Sequence, residues 1–524
     1  MSGMFESKTD KASRKLARSK QEEKAKRKTR TIAITVISVL LVLSTAAILI
    51  NSNFIRRNVT VVTIDGVGFS AAHVEYFVSA ELFEYRNMMS QFQGMGGNMP
   101  DPNRPLSHQI FNPETGETWA DVMLAGALAN MVNIVSIYKE AEAYGFELPE
   151  EQLADIEDEM LMLSMQAMFN GFPNTVIFLQ QMYGSGMNEN LYREILELIS
   201  LVGAFNNYKR ESIEYTAEEL FNYYEDNKDE LDVFFYREFT IYAEYLYEED
   251  FDSTAEYDLA VANAAVQARL EADMIAAGIS SEDDFLEVSM NYDLFYSDPE
   301  STLFTVQGER LNSTISEWML DAARDHGDIT VTDSDYGSSI IFFVSRENNR
   351  YNTVGMRQIL ITRTVVDPEE FLLGELDPDY LEALEQAERE LHERAQTVNT
   401  LFIAGGSTEE VMIDLMQEHS DDTTPGGEYS NITKYPYQSS FIMAMKVVPE
   451  IEDWLFDENR KVGDSELIYT EAYGYHLLYF TGFGKPFFEL MAEDRLRTRD
   501  HSEWLENLTR AEPVKHAAFI LVTL

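Results

Sequence analysis

One residue pattern occurs twice in the second half of the chain, and it constrains the fold more than any other feature. Trp318 and Trp454 lie within two matching six-residue segments, each followed by a Gly-Asp pair and then by a Tyr-Gly pair that opens an apolar run. The matched segments are 315–320 with 451–456, 327–328 with 463–464, and 336–337 with 473–474. A solenoid needs three or more repeats. Two copies therefore predict two tandem α+β domains, each a small antiparallel sheet covered by helices.

The first half of the chain has mainly helical patterns. Residues 59–69, which turn at Asp65-Gly66, are predicted as a short strand or a hairpin and precede the helical region. The predicted helices are 70–92, 118–144, 149–170, 174–183 and 188–210. Thr216 and Glu219 have the spacing of a capping box that opens one more helix. Near the C-terminus, 487–508 is predicted as a helix and 516–524 as a short apolar strand that packs on an earlier domain.

The N-terminal fifty residues combine a basic tail with an uncharged run. Residues 1–30 hold eleven Lys or Arg and four Asp or Glu, and residues 31–50 carry no charge. Twenty apolar residues in a helix span about 30 Å, which matches the hydrocarbon core of a bilayer. Since basic residues favour the cytoplasmic side, a single-pass anchor with a cytoplasmic N-terminus and an outward-facing bulk is expected. A cleaved signal peptide is the alternative, although its apolar core and basic lead are usually shorter.

Charge and cysteine content exclude several classes of protein. The net charge of −51 argues against a nucleic-acid partner, because phosphates would be repelled. The chain has no cysteine, which excludes disulfides, thiolate metal sites and cysteine nucleophiles. Asp333 and Asp335 lack the glutamate that an EF-hand requires at its twelfth position, where Val344 stands. The eight histidines have no paired helical spacing, so neither a metal nor another cofactor is expected.

A methionine-rich stretch in the helical region has two interpretations. Met160, Met162, Met165 and Met168 recur at short intervals within one predicted helix. The simpler interpretation places them in the core. The alternative is an adaptable surface for varied apolar partners, because the flexible methionine side chain repacks easily.

The second copy of the repeat resembles the parvulin family of peptidyl-prolyl isomerases over residues 354–482. The residues that carry the resemblance are MRQILI at 356–361, HSDD at 419–422 followed by PGGE at 425–428, PEIED at 449–453, and YGYHLL at 473–478. The whole layout is similar to the SurA, PrsA and PpiD group of extracytoplasmic folding factors, and the likeness is weaker over 235–347.

The resemblance implies a shallow catalytic pocket in the second copy. Parvulins use two histidines and a Cys or Asp. His476 matches the second histidine and Asp422 the Cys/Asp position, but Gln358 replaces the first histidine. In the first copy, Ser339 and Glu238 stand at the positions of His476 and Gln358, so that copy is expected to be non-catalytic. A structural role remains open for both matched residues, His476 as a core histidine and Asp422 as a turn cap.

Three further residues are expected to contact substrate. Ile451 falls where an aromatic residue usually grips the proline ring, and Val447 falls roughly where a methionine lies. Tyr473, at the start of the YGYHLL motif, completes the set. No nucleophile is needed, because the enzyme has only to lower an amide rotation barrier of about 18–20 kcal/mol by favouring the twisted amide.

The expected fold class is multidomain α+β, with a mostly helical N-terminal chaperone domain and two tandem parvulin-like α+β domains after a single transmembrane helix. The expected boundaries are 1–30 for the cytoplasmic tail, 31–50 for the anchor, 56–230 with 487–524 for the helical domain, 231–350 for the degenerate parvulin-like domain and 351–486 for the second.

The expected function is that of a bacterial folding factor, anchored in the cell membrane, that binds unfolded or newly translocated polypeptides with X-Pro bonds. Isomerisation would be useful there, because uncatalysed X-Pro exchange takes tens of seconds or longer. The first alternative is a non-catalytic chaperone whose parvulin-like domains only bind peptides. The second is an envelope assembly scaffold with one stable partner.

Overall fold

A computed structural model describes residues 8–51, 53–91, 99–292, 299–435, 437–438, 443–444 and 446–522. The chain is a multidomain α+β protein with two compact units, Met1–Ile213 together with His501–Leu524, and Glu214–Asp500. The helices are α1 (Lys8–Asn51), α2 (Phe54–Asn58), α3 (Ala71–Gln91), α4 (Trp119–Tyr144), α5 (Glu150–Phe169), α6 (Thr175–Tyr183), α7 (Glu189–Glu211), α8 (Ala217–Leu231), α9 (Thr254–Ala276), α10 (Glu282–Tyr292), α11 (Ser313–Met319), α12 (Pro378–Ala404), α13 (Glu409–His419), α14 (Pro449–Leu455) and α15 (Phe487–Asn507). The strands are β1 (Thr60–Ile64), β2 (Val67–Ser70), β3 (Ile110–Asn112), β4 (Glu117–Thr118), β5 (Val233–Tyr242), β6 (Leu303–Gln307), β7 (Ile329–Ser334), β8 (Gly337–Glu347), β9 (Asn352–Ile361), β10 (Glu428–Ile432), β11 (Tyr437–Gln438), β12 (Met443–Ala444), β13 (Ser465–Thr470), β14 (Gly474–Pro486) and β15 (Val514–Lys515).

The first unit is built on α4, whose ends follow from local sequence. Thr118 and Asp121 form a capping box at its N-terminus, and Gly145 closes the C-terminus in the left-handed conformation. By length and composition, α4 is long and apolar enough to cross a membrane. Its side chains Trp119, Met123 and others nevertheless form the buried core of the unit, as expected of a core helix in a soluble domain.

Helix α1 contains the predicted anchor. The described residues 31–44 within it are exposed on every side of the helix. An apolar helix that is exposed all round, instead of along one stripe, has no packing face against its own chain.

The strand pair at the start of the first unit forms as predicted, with β1 and β2 joined by a tight turn. Asp65 and Gly66 both have positive φ, which the two-residue hairpin turn requires. Strand β15 adds to the other edge of β1. The prediction of a strand over 516–524 is wrong for its described part, because Ala517–Leu521 forms a 3-10 turn. Phe519 instead packs its side chain against the core of the unit.

Helix α8 begins at the predicted capping box of Thr216 and Glu219. The sequence predicts α8 as part of the helical domain, with the boundary at residue 230, but the first unit ends at Ile213 and α8 belongs to the second. The reason is its apolar face. Leu220 and Tyr224 pack in one cluster with Phe487 and Met491 of α15.

The two copies of the repeat have the same architecture within the second unit. One four-stranded antiparallel sheet has the order β6-β5-β8-β7 and the other has the order β10-β9-β14-β13. In each copy two helices cover one sheet face, and a short helix, α11 or α14, packs on the other. The matched tryptophans are held alike, because Arg324 lies 4.1 Å from the Trp318 ring and Arg460 lies 4.1 Å from the Trp454 ring.

Candidate functional site

The candidate site lies on the face of the second sheet that packs against α14. Strand alternation places Ile359 and Leu477 on the opposite face, against α12. Gln358 of β9 and His476 of β14 therefore point toward the α14 side, beside the apolar cluster that contains Met356 and Leu478. Both polar side chains are buried. Buried polar groups of this kind need hydrogen-bond partners.

The loop after α13 brings Asp422 to this face. Asp421 donates its backbone N–H to the Leu360 carbonyl over 2.8 Å, and this bond docks the loop on β9. Gly427 allows the close approach that follows, because it has a φ of +54° and a Cβ there would lie 2.4 Å from the Gln358 carbonyl oxygen. The Gly-Gly segment noted in the sequence is thus a geometric requirement of the site.

A continuous hydrogen-bond chain joins the three predicted catalytic residues. The Gln358 amide Nε2 donates to Asp422 Oδ2 over 2.8 Å, and Gln358 Oε1 lies 2.9 Å from His476 Nδ1. Thr470 Oγ1 of β13 lies 3.0 Å from His476 Nε2. Since the Gln358 oxygen can only accept, the network assigns the imidazole proton to Nδ1. Gln358 therefore takes a bridging position between the imidazole and the carboxylate.

Two further residues hold the carboxylate. The Tyr429 hydroxyl donates to Asp422 Oδ2 over 2.7 Å, and the Thr424 backbone N–H donates to Asp422 Oδ1 over 2.9 Å. The Thr424 hydroxyl lies 2.9 Å from the Tyr429 hydroxyl. Thr424, Tyr429 and Thr470 are residues of the site that the sequence does not predict. The only signal was their proximity in sequence to PGGE and YGYHLL, since the contacts themselves depend on strand register.

Burial and hydrogen bonds set the charges of the site. Burial lowers the pKa of His476 to about 4, although the nearby carboxylates of Asp422 and Glu450 oppose this, so the imidazole is neutral near pH 7. Burial would raise the pKa of Asp422, but the hydrogen bonds from Tyr429, Gln358 and Thr424 outweigh it and lower the pKa. The site thus holds one carboxylate and one neutral imidazole.

The three predicted substrate-binding residues occupy different environments. Ile451, on the sheet-facing side of α14, is buried in the apolar cluster between that helix and the sheet, and Val447 packs against the same cluster. The buried Ile451 side chain can shape the floor of the site, but it offers no surface to a ligand in this conformation. Tyr473 is exposed, and its ring centre lies 6.2 Å from that of His476.

This arrangement can act on an amide without forming a covalent bond. Amide resonance places negative charge on the carbonyl oxygen and gives the C–N bond its double-bond character. A fixed carboxylate near that oxygen disfavours the charge-separated form and lowers the cost of twisting the bond. Asp422 is the group with this charge, and the bonds from Gln358 and Tyr429 hold it in place.

The equivalent face of the first copy has different polar residues. Ser339 lies opposite Thr240, as His476 lies opposite Leu360. The Thr240 and Ser339 hydroxyls are 2.9 Å apart. Burial raises the pKa of Glu238, and a hydrogen bond with Ser339 offsets part of this effect. This copy has no imidazole at the position of His476.

A second candidate surface lies on α5 in the first unit. Met160 packs against the core, whereas Met162, Met165 and Met168 are exposed. Phe169, at the end of the helix, is 90% exposed. The core interpretation is therefore wrong for three of the four methionines. We call the exposed set Met162, Met165, Met168 and Phe169 the α5 patch.

The chain has similarities to solved structures but not to family models or curated proteins. No family model and no curated protein matches the chain. Among solved structures, PrsA from Bacillus subtilis is similar at 13% identity and a TM-score of 0.14, over 44% of this chain and 74% of PrsA. A SurA-like chaperone structure from Campylobacter jejuni is similar at 14% identity and a TM-score of 0.16, over 41% of this chain and 77% of the other. Likenesses at these TM-scores carry no argument about the function of this chain.

Proposed function

We propose that this chain is a membrane-anchored, extracytoplasmic protein-folding factor that binds unfolded polypeptides. The α5 patch carries the proposal, because three exposed methionines and an exposed phenylalanine on one helix form an apolar surface that a folded monomer has no reason to display. Flexible methionine side chains can repack around many sequences, which suits a protein with varied clients. The acidic surface keeps a complex with an aggregation-prone client soluble.

The test is suppression of aggregation by the full chain in lipid nanodiscs. A chemically denatured reporter protein is diluted into buffer, and light scattering is followed with and without the nanodiscs. We expect the triple variant Met162→Gln, Met168→Gln, Phe169→Gln to lose most of the protection. A matched variant with Phe83→Gln and Ile110→Gln, exposed apolar residues on other elements of the same unit, should retain it. Equal protection by both variants would refute the assignment of the α5 patch.

The second part of the proposal is prolyl cis-trans isomerisation by the second copy of the repeat, over 351–486, with the first copy over 231–350 non-catalytic. The hydrogen-bond chain from His476 through Gln358 to Asp422 supports it, because it fixes a carboxylate on the sheet face where the exposed Tyr473 ring centre lies 6.2 Å from that of His476. NMR exchange spectroscopy on short X-Pro peptides provides the measurement. Asp422→Ala and His476→Ala should reduce the exchange rate, whereas Ser339→Ala in the first copy should leave it unchanged. A folded protein without exchange above background would be a non-catalytic chaperone or scaffold.

Residues 31–50 are proposed as the membrane anchor, with the basic N-terminal tail in the cytoplasm. The exposure of residues 31–44 on all sides of α1 supports this, since such a surface is stable in lipid. Because the chain lacks cysteine, topology can be read from single introduced cysteines. Ser19→Cys should resist a membrane-impermeant maleimide in intact cells, and Ser253→Cys should react with it. Labelling of both positions, or the reverse pattern, would contradict this orientation.

A further inference from the structure

The first copy of the repeat displays a group of exposed tyrosines where β5 ends. Tyr242, Tyr245 and Tyr247 are 52%, 79% and 58% exposed, and Tyr336 in the turn between β7 and β8 is 75% exposed. The Ala243 backbone N–H donates to the Tyr336 carbonyl over 2.9 Å, so the two segments are adjacent. The Tyr245 and Tyr247 rings meet edge to face with centres 5.0 Å apart. We call these four residues the tyrosine surface.

The segment that carries Tyr242, Tyr245 and Tyr247 has charges of a single sign, whereas Arg269 pairs with Asp333 near Tyr336. Residues 238–258 contain eight Asp or Glu and no Lys or Arg. Glu244, Glu248, Glu249 and Asp250, which lie between or directly after the tyrosines, are all exposed. Carboxylates concentrated in this way produce a negative local potential that attracts cationic ligands and repels anionic ones.

The second copy shows that the fold does not require tyrosines in the segment after the first strand of the sheet, although Tyr473 matches Tyr336 and is also exposed. Its equivalent segment, after β9, is also acidic, but its exposed apolar residues are aliphatic. They are Val365, Leu372, Leu373 and Leu376. Because the two copies share one architecture, the tyrosines after β5 are not required for folding of the sheet. We attribute them to what this surface binds.

We propose that the tyrosine surface binds extended, proline-containing polypeptide segments that carry Lys or Arg. Flat aromatic side chains accept the ridged face of a polyproline II segment, and their hydroxyls can donate to its unpaired carbonyls. Tyrosine faces also attract Lys and Arg through cation–π contacts, which the neighbouring carboxylates reinforce. The inference rests on the proposed function in one respect, namely that unfolded chains are the clients. It gives the first copy a binding role that is independent of catalysis in the second.

The experiment measures peptide binding by fluorescence anisotropy, using the full chain in nanodiscs. The probe is a labelled twelve-residue peptide with three prolines and three lysines. Two companion peptides replace either the lysines with glutamate or the prolines with alanine. We expect the double variant Tyr245→Ala, Tyr247→Ala to bind the probe about tenfold more weakly, which corresponds to two aromatic contacts of modest strength. Both tyrosines are exposed, so the variant keeps its packing.

Controls separate this surface from the rest of the protein. Tyr292→Ala removes an exposed tyrosine from α10 of the same copy and should bind like the wild type. Glu248→Gln with Glu249→Gln should weaken binding several-fold and reduce its salt dependence. An unchanged Kd in the double tyrosine variant would overturn the proposal, as would equal binding of the glutamate peptide or of the alanine peptide. Aggregation and isomerisation are measured separately, so failure of those proposals is distinguishable from failure of this one.

Discussion

Acidification should destabilise the second copy of the repeat through a single histidine. His476 is buried, and its pKa is lowered from 6.5 to about 4. In the unfolded chain the same imidazole takes up a proton below about pH 6.5. Between pH 6.5 and pH 4 the unfolded state therefore binds a proton that the folded state does not, and stability falls as the pH falls. This contribution is fully present above pH 6.5 and is lost progressively down to about pH 4.

The size of the effect follows from the two pKa values. Because the pKa of His476 falls from 6.5 to about 4 on folding, the loss of stability from this group is at most about 3 kcal/mol, reached only below pH 4. Lowering the pH from 7 to 5 should cost about 2 kcal/mol, because most of the unfolded chain is protonated at pH 5 while the folded protein is not. Carboxylates such as Asp422 also titrate in acid, so the histidine term has to be isolated by a variant.

Hydrogen exchange with mass spectrometry on peptides from β9 and β14 gives the local free energy of opening at each pH. His476→Gln removes the titration while keeping a polar side chain that can bond to Gln358 and Thr470. Its opening free energy should depend on pH by about 2 kcal/mol less than that of the wild type between pH 7 and 5. His392→Gln, at an exposed histidine, should behave as the wild type does. Identical pH dependence in the His476 variant and the wild type would refute the reasoning.

Three other predictions concern the two copies of the repeat. Gln358→Met removes the amide that bridges imidazole and carboxylate, so two buried polar groups lose a partner. The free energy of unfolding should fall by about 2–4 kcal/mol, measured by thermal denaturation or hydrogen exchange. Gln386→Met, at an exposed glutamine, should lower it little. Gly427→Ala should destabilise the second copy by about 2 kcal/mol or more, because a left-handed backbone and a close carbonyl oxygen oppose the new Cβ. Gly374→Ala, also left-handed but open, should cost less in the same measurement. Burial raises the pKa of the Glu238 carboxyl, so its ionisation destabilises the fold as the pH rises. Glu238→Gln should therefore raise the stability of the first copy at neutral pH. No gain in stability over the wild type at pH 7 would contradict this.

Elements with a local cause could be predicted from the sequence. Helices α6, α7 and α8 are capped at their N-termini by Asn174, Asn188 and Thr216, the last within a capping box, and begin where the spacing of polar and apolar residues indicates. The repeated Trp segments likewise correspond to two sheets with one strand order. These signals are local, or they are repeated within the chain, and so they need no knowledge of tertiary contacts.

Features that depend on tertiary contacts were harder to predict. Tyr429 and Thr470 enter the site only because β10 and β13 flank the central strands in a particular register. The final apolar segment has the composition of a strand, but Phe519 is used as a side-chain contact to the core. The placement of α8 with α15 could not be seen either, because amphipathicity shows that a helix has a partner without showing which one.

The two copies share the apolar packing of their sheets and differ in the polar residues of one sheet face. In both copies, apolar side chains fill the sheet face that is covered by two helices. They also fill the part of the other face that lies next to α11 or α14. Arg237 pairs with Glu282 as Arg357 pairs with Glu409, so the same ion pair ties the first strand of each copy to its second helix. On the remaining part of the face, Ser339 and Glu238 of the first copy stand at the positions of His476 and Gln358 of the second, and the Ser339 and Thr240 hydroxyls are 2.9 Å apart. Substitution at those positions therefore changes the polar groups of the face and leaves the architecture of the sheet the same. A chain with two such scaffolds can therefore assign amide chemistry to one and peptide capture to the other, and the tyrosine surface lies on the copy that has lost the imidazole.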